Sequence, residues 1–103
     1  MIAAIEHNLE AIHALCREYG VSRLEVFGSA ATGEFDPNQS DIDFLVDYTQ
    51  DADLGPWLKR FTELKERLEA LLGRPVDLVM IGGLRNPYFI RSVNESRRLL
   101  YAS

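Results

Sequence analysis

The stretch Gly28-Ser29-Ala30-Ala31-Thr32-Gly33, followed after a polar loop by Ser40-Asp41-Ile42-Asp43-Phe44-Leu45-Val46, decides how this chain reads. Ahead of it, Leu24-Glu25-Val26-Phe27 has the composition of a short strand that ends at Gly28. A glycine directly after a strand lets the backbone come close to a ligand. The Ser29 hydroxyl and nearby N–H groups could then hold phosphate oxygens, and a helix starting at Ser29 or Ala30 would add its positive end. No Gly-Lys-Ser/Thr follows, so this is not a Walker A loop. Taken alone, Gly-Ser after a strand also fits a plain turn.

Asp41 and Asp43 are spaced i, i+2, which in a strand puts both side chains on one face. Two adjacent carboxylates repel unless a cation sits between them or one holds a proton. The bland alternative is a solvated strand edge with two exposed acids. Against it, Asp is a poor strand former, and here two of them adjoin a strongly apolar run. Hard oxygen ligands suit magnesium or manganese. Asp77 is a third acid, interrupting Val76, Leu78 and Val79 in a strand that otherwise looks buried. An unpaired buried carboxylate is costly. If its strand lies beside that of Asp43, Asp77 joins the cluster; otherwise it pairs with Arg74 or Arg85. Asp47 shares the face of Asp41 and Asp43 but lies toward a loop, where it is expected to be solvated. The stretch therefore suggests metal-dependent chemistry on a nucleotide.

Outward from this stretch, Ile2, Ile5, Leu9, Ile12, Leu15, Cys16 and Tyr19 recur at helical spacing. They predict one helix over 2–19, stopped by Gly20. Asp36-Pro37-Asn38 signals a loop. Asp41–Tyr48 reads as the second strand, with Ile42, Phe44 and Val46 on one face and Asp41, Asp43, Leu45 and Asp47 on the other. Thr49–Gly55 is an acidic loop, and Pro56 suits a first helical turn. Trp57, Leu58, Phe61, Leu64, Leu68, Leu71 and Leu72 mark a second helix closed by Gly73. Pro75–Ile81 is a third strand and Gly82-Gly83 a turn. Asn86-Pro87 reads as an N-cap with Pro at the first helical position, opening a third helix. Arg98–Tyr101 is a possible last strand. The order predicts an α/β (α+β) fold, a small mixed sheet with helices packed against it.

The 103 residues fit a single domain over 1–103. The apolar share of 47% is enough for a core. The net charge of −5 argues against a general nucleic-acid binder, which needs a basic face. Residues 85–103 nevertheless sum to +3, a tail that is either solvated or meets an acidic partner or a phosphate. Cys16 is the only cysteine, which excludes an intrachain disulfide and a thiolate zinc cluster. His7 and His13 are six apart and not stacked as i, i+4 ligands, so they read as surface or satisfied histidines. Trp57 and Phe61 read as core or interface residues. No secretory signal pattern and no membrane-length apolar run is present, so the expected address is cytoplasmic, with no membrane partner.

Gly28-Ser29, Ser40-Asp41-Ile42-Asp43 and the later Asp77 together resemble the nucleotidyltransferase superfamily that includes DNA polymerase beta. The size and layout are similar to its minimal nucleotidyltransferases. The resemblance covers about residues 20–101, including Asn86-Pro87-Tyr88-Phe89 and Arg98–Tyr101. In that group Ala-Arg-Gly commonly follows the Gly-Ser turn. Here Ala31-Thr32-Gly33 stands there, so no arginine contact carries over. The resemblance implies two magnesium ions (manganese being the alternative) on Asp41, Asp43 and Asp77 as catalytic and metal-binding residues. It implies a nucleotide-binding set of Gly28, Ser29, Gly33 and Ser40, with ATP as substrate and AMP passing to a hydroxyl. Larger relatives such as aminoglycoside nucleotidyltransferases carry an added domain for the acceptor. This chain has no room for one, so the acceptor is expected from a partner in a hetero-oligomer. Minimal nucleotidyltransferases are often paired with HEPN-domain toxins, whose tyrosine they adenylylate as antitoxins. That is the leading expectation. The alternatives are an antitoxin that acts by binding alone, and a subunit of an aminoglycoside-type enzyme.

Overall fold

The computed structural model describes residues 1–34, 36, 40–48 and 57–103, the side chain of Trp57 excepted. The turn read at Pro37-Asn38, the acidic loop Thr49–Gly55 and Pro56 lie outside the described residues. The elements run α1 (Ala3–Glu6), α2 (Leu9–Glu18), β1 (Val21–Phe27), α3 (Ser29–Thr32), β2 (Ile42–Tyr48), α4 (Trp57–Leu72), β3 (Val76–Met80), a 3₁₀ turn (Ile81–Gly83), α5 (Pro87–Ser96) and β4 (Arg98–Ala102). The strands form one mixed sheet of order β3-β2-β1-β4. β1 runs antiparallel to β2 and β4, and β2 runs parallel to β3, with α4 as the crossover that a parallel pair requires.

The period-2 pattern of β2 sorts its residues as the sequence predicts. Ile42, Phe44 and Val46 are fully buried and face one core, built with Leu24 and Val26 of β1, Leu78 of β3, Ile12 and Cys16 of α2, and Leu64 and Leu68 of α4. Complete burial of a side chain such as Phe44 stabilises the fold by about 2–3 kcal/mol. The opposite face carries a smaller cluster of Phe27, Leu45 and Val93, flanked by Val79, Ile81 and Leu84. α5 therefore covers the sheet face on which Asp43 stands.

Three details differ from the sequence expectation. The single helix over 2–19 is broken at His7-Asn8, because the Asn8 side-chain amide donates to the carbonyl of Ala4 (2.7 Å) and competes with the helical ladder. β1 starts three residues earlier than Leu24, since Val21 and Arg23 pair with Tyr48 and Asp47 of β2. Gly82-Gly83 forms the end of a 3₁₀ turn. Cys16 is buried, which pushes its thiol up to about 12, as befits a core residue. Phe61 packs against the core as expected. No helix of the described residues is long and apolar enough to cross a membrane.

Candidate functional site

Asp43 and Asp77 are direct partners in the parallel β2/β3 register, with Ile42 opposite Val76 and Phe44 opposite Leu78. Partners in register point their side chains to the same face. The sheet order thus resolves the two sequence readings of Asp77. Arg74 donates to the Ser40 carbonyl (2.7 Å), and Arg85 to the Gly82 and Leu84 carbonyls. Among the described residues Asp77 has no ion pair with either arginine. Asp41 lies just ahead of β2 and is exposed, as are Asp77 and Asp47.

Asp43 is half-buried, and its carboxyl is pushed from an ordinary 3.8 to about 6. Burial is the largest cause, followed by the charges of Asp77 and Asp41. Asp77 and Asp41 thus both act electrically on Asp43. Among the described residues no three His, Cys, Asp or Glu side chains gather tightly enough to form a ready metal-ligand set. Asp43 and Asp77 share a register position, and the charge of Asp41 reaches Asp43. Carboxylates are the donor type that a hard divalent cation takes. The three acids offer carboxylate oxygens only, and Asp43 holds its proton to a higher pH than an ordinary carboxylate, through burial first and the neighbouring charges second.

Gly28 shapes the other side of the site. β1 pairs Phe27 with Asp43, so Gly28 follows immediately above that carboxylate. It takes φ +72° and ψ −151°, a region side-chain-bearing residues avoid. A Cβ there would stand 3.0 Å from Asp43 Oδ2. Glycine thus serves both the turn and the space that the carboxylate occupies. Its carbonyl accepts from the N–H groups of Ala31 (3.0 Å) and Thr32 (3.2 Å), and its own N–H donates to Ser96 Oγ (2.8 Å). The half-buried Ser29 opens α3, a helix of four residues, too short for a developed macrodipole. Gly33 ends it in the left-handed region, φ +91°, with open space around a built Cβ. Its observed part is to turn the chain.

Ser40 serves the loop before β2. Its hydroxyl accepts from the Asp36 N–H (3.0 Å), its N–H donates to the Asp36 carbonyl (2.9 Å), and its carbonyl takes the Arg74 guanidinium. The histidines stand apart from this chemistry. His7 is exposed, and His13 Nε2 lies 2.6 Å from the Leu100 carbonyl beside the Tyr101 ring. Sequence reasoning missed Ser96, which holds the Gly28 peptide from 68 residues away. It also missed the buried Glu25, whose carboxylate takes Arg23 and Arg97. The Ser96–Gly28 and Arg97–Glu25 contacts have no local signal, since they exist only once β1 and α5 are assembled.

The sequence profile of the family described as "Nucleotidyltransferase domain" matches residues 10–100. The protein adenylyltransferase MntA of Thermococcus cleftensis is 46% identical over 83 residues, 80% of this chain and 79% of that one. A solved structure provisionally named a minimal nucleotidyltransferase superimposes with a TM-score of 0.73 at 36% identity, covering 91% of this chain and 90% of the other. A crystal structure of a toxin–antitoxin with AMP-PNP matches with a TM-score of 0.69 at 26% identity, over 93% of this chain and 74% of that one.

Proposed function

Because the chain belongs to the nucleotidyltransferase domain family, we propose that it transfers AMP from ATP to a hydroxyl of a partner protein, a tyrosine of a HEPN toxin, and thereby acts as an antitoxin. The observation that carries this reading is the Asp43–Asp77 pair in register across β2 and β3, beneath a glycine that leaves room for the carboxylate. Protein adenylylation is the activity named for the Thermococcus relative. The toxin–antitoxin with AMP-PNP supports the nucleotide and a toxin as partner.

In this reading the acceptor oxygen forms a bond to the α-phosphorus of ATP, the bond from that phosphorus to the bridging oxygen breaks, and pyrophosphate leaves. The acceptor proton passes to a carboxylate oxygen, for which Asp77, exposed and in register with Asp43, is the candidate. Gly28 and Ser29 border the phosphates, while Gly33 and Ser40 keep the turn and the loop before β2 in shape. Asp41, Asp43 and Asp77 would hold magnesium or manganese. When bound, the cation supplies positive charge against the phosphate oxygens. The acceptor comes from a second protein, so the working unit is a hetero-oligomer.

Incubation of the protein with its HEPN partner, ATP and magnesium tests this. The expected result is a gain of adenylyl mass on the partner that disappears with Asp43→Ala. No gain with the native protein overturns the enzymatic reading. A second reading, neutralisation by contact alone, is favoured by the exposed Tyr88 (83%) and Leu99 (50%), available for a partner surface. A variant with Asp41, Asp43 and Asp77 all changed to Ala that still silences the toxin would select it.

A further inference from the structure

Ser96 is 8% exposed and sits at the last position of α5, far in sequence from the acids and from the Gly-Ser turn. Its hydroxyl lies 3.5 Å from the carbonyls of Ser92 and Val93 in its own helix. Donating back to these carbonyls is a common way for a helical serine to hold its hydroxyl. With the proton directed there, a lone pair remains to accept the Gly28 N–H at 2.8 Å. The bond reaches the residue on which a Cβ would stand 3.0 Å from Asp43 Oδ2. Gly28 has no side chain to hold its peptide plane, and its φ and ψ are easily lost when a neighbour lets go.

We propose that Ser96 is a positioning residue for the nucleotide turn. Through the Gly28 peptide it keeps Gly28-Ser29 and the Asp43 carboxylate in the relation that ATP binding needs. The proposal rests on the nucleotidyltransferase reading above. α5 is also anchored without Ser96. Val93 packs with Phe27 and Leu45, Phe89 meets the Phe27 ring edge-on at 5.9 Å between centroids, and the neighbouring Arg97 pairs with Glu25. Loss of the Ser96 hydroxyl therefore leaves the helix docked and releases only the Gly28 N–H.

The test compares Ser96→Ala and Ser96→Thr with the native chain, using Asn86→Ala as a control that weakens the same helix at its other end. Three readouts are taken: thermal unfolding, the exchange rate of the Gly28 amide, and the affinity for ATP with magnesium alongside the KM and kcat of AMP transfer. Ser96→Ala is expected to expose the Gly28 amide to exchange. It should also weaken ATP binding about tenfold, with the loss mainly in KM, as expected when a hydrogen bond that orders a binding turn is removed. Ser96→Thr, which keeps the hydroxyl, should restore both. Asn86→Ala should lower the melting temperature without changing the ATP affinity. Native affinity in Ser96→Ala overturns the proposal, as does an affinity loss in both helix variants that simply follows their loss of stability. Should Ser96→Ala not fold, Ser96→Cys, which keeps a weak acceptor, decides by the same readouts. If the native protein binds no ATP, the nucleotidyltransferase reading fails by itself. The amide-exchange result then still reports whether Ser96 holds Gly28.

Discussion

Gly28 and Asp43 compete for one small space, because a Cβ built on Gly28 stands 3.0 Å from Asp43 Oδ2. Backbone at φ +72° adds strain for any residue with a side chain. Gly28→Ala therefore either shifts the turn or turns the carboxylate aside. The stability cost is expected to be about 1–3 kcal/mol. AMP transfer should fall further, by roughly 100-fold, since a reacting geometry tolerates little displacement. Melting temperature and initial rate measured on the same sample separate the two. A rate that falls no more than stability does would count against the shared space being functional.

Asp43→Asn should raise stability while removing activity. The folded state holds the Asp43 proton up to about 6, against an ordinary 3.8. Between those values the native chain binds more protons than the unfolded one, so this group's contribution is fully present below 3.8 and is lost as pH rises through about 6. At neutral pH the ionised Asp43 is thus a burden beside Asp77 and Asp41. Without divalent cations, Asn in its place should raise the melting temperature near neutral pH. The gain should shrink in acid, where the native carboxyl is already protonated. Thermal unfolding across this pH range gives the answer, and an equal effect at both ends would refute the electrostatic account.

Cations should relieve the same repulsion. Magnesium or manganese added near neutral pH should stabilise the native chain, by about 2.7 kcal/mol at a hundred times the dissociation constant. For a chain of this size that is a rise of roughly 10–20 °C. A chelator should reverse it and stop AMP transfer, and Asp43→Asn should blunt the rise. Unfolding curves with and without the metal measure this, and a native chain indifferent to both ions would contradict it.

What the sequence made legible was local. The Asn86-Pro87 start of α5 needs only its own side chain and the next N–H groups, and Asn86 Oδ1 does accept from Tyr88 (2.9 Å) and Phe89 (3.4 Å). The two faces of β2 follow from alternation alone. The break at Asn8 was hidden, because an apolar period continues through it while a side-chain amide cuts the ladder. Whether Asp77 faced Asp43 or an arginine depended on strand order, which no spacing within Val76–Met80 encodes. Ser96 and Glu25 owe their roles to neighbours 68 and 72 residues distant.

Asn86→Ala should cost about 1 kcal/mol, the usual worth of an N-cap side chain. Pro87 at the first helical position keeps the helix start in place, so α5 should shorten by fraying rather than undock. Amide exchange at Tyr88 and Phe89 should speed up, while that of the Gly28 amide at the far end stays slow. Faster exchange along the whole helix would mean that α5 depends on its cap more than on its packing.

Glu25 should make the fold sensitive to acid. It is 3% exposed and its carboxylate takes Arg97 from the end of α5 and Arg23 along β1. The Arg97 hydrogen bond is the largest cause holding its carboxyl below the ordinary 4.5, with Arg23 adding to it against the opposing effect of burial. A lowered carboxyl stabilises the fold above the ordinary value, and that stabilisation disappears as pH falls through the folded value. Side-chain exposure is 30% for Arg97 and 47% for Arg23, so solvent screens part of the attraction. Glu25→Gln should then cost about 1–2 kcal/mol near neutral pH. The native and variant unfolding curves should converge as the pH drops below 4.5, because the native carboxyl loses its charge there as well. Curves that stay parallel into acid would mean that Glu25 acts through shape and packing, and that its charge contributes nothing to holding α5 and β4 against β1.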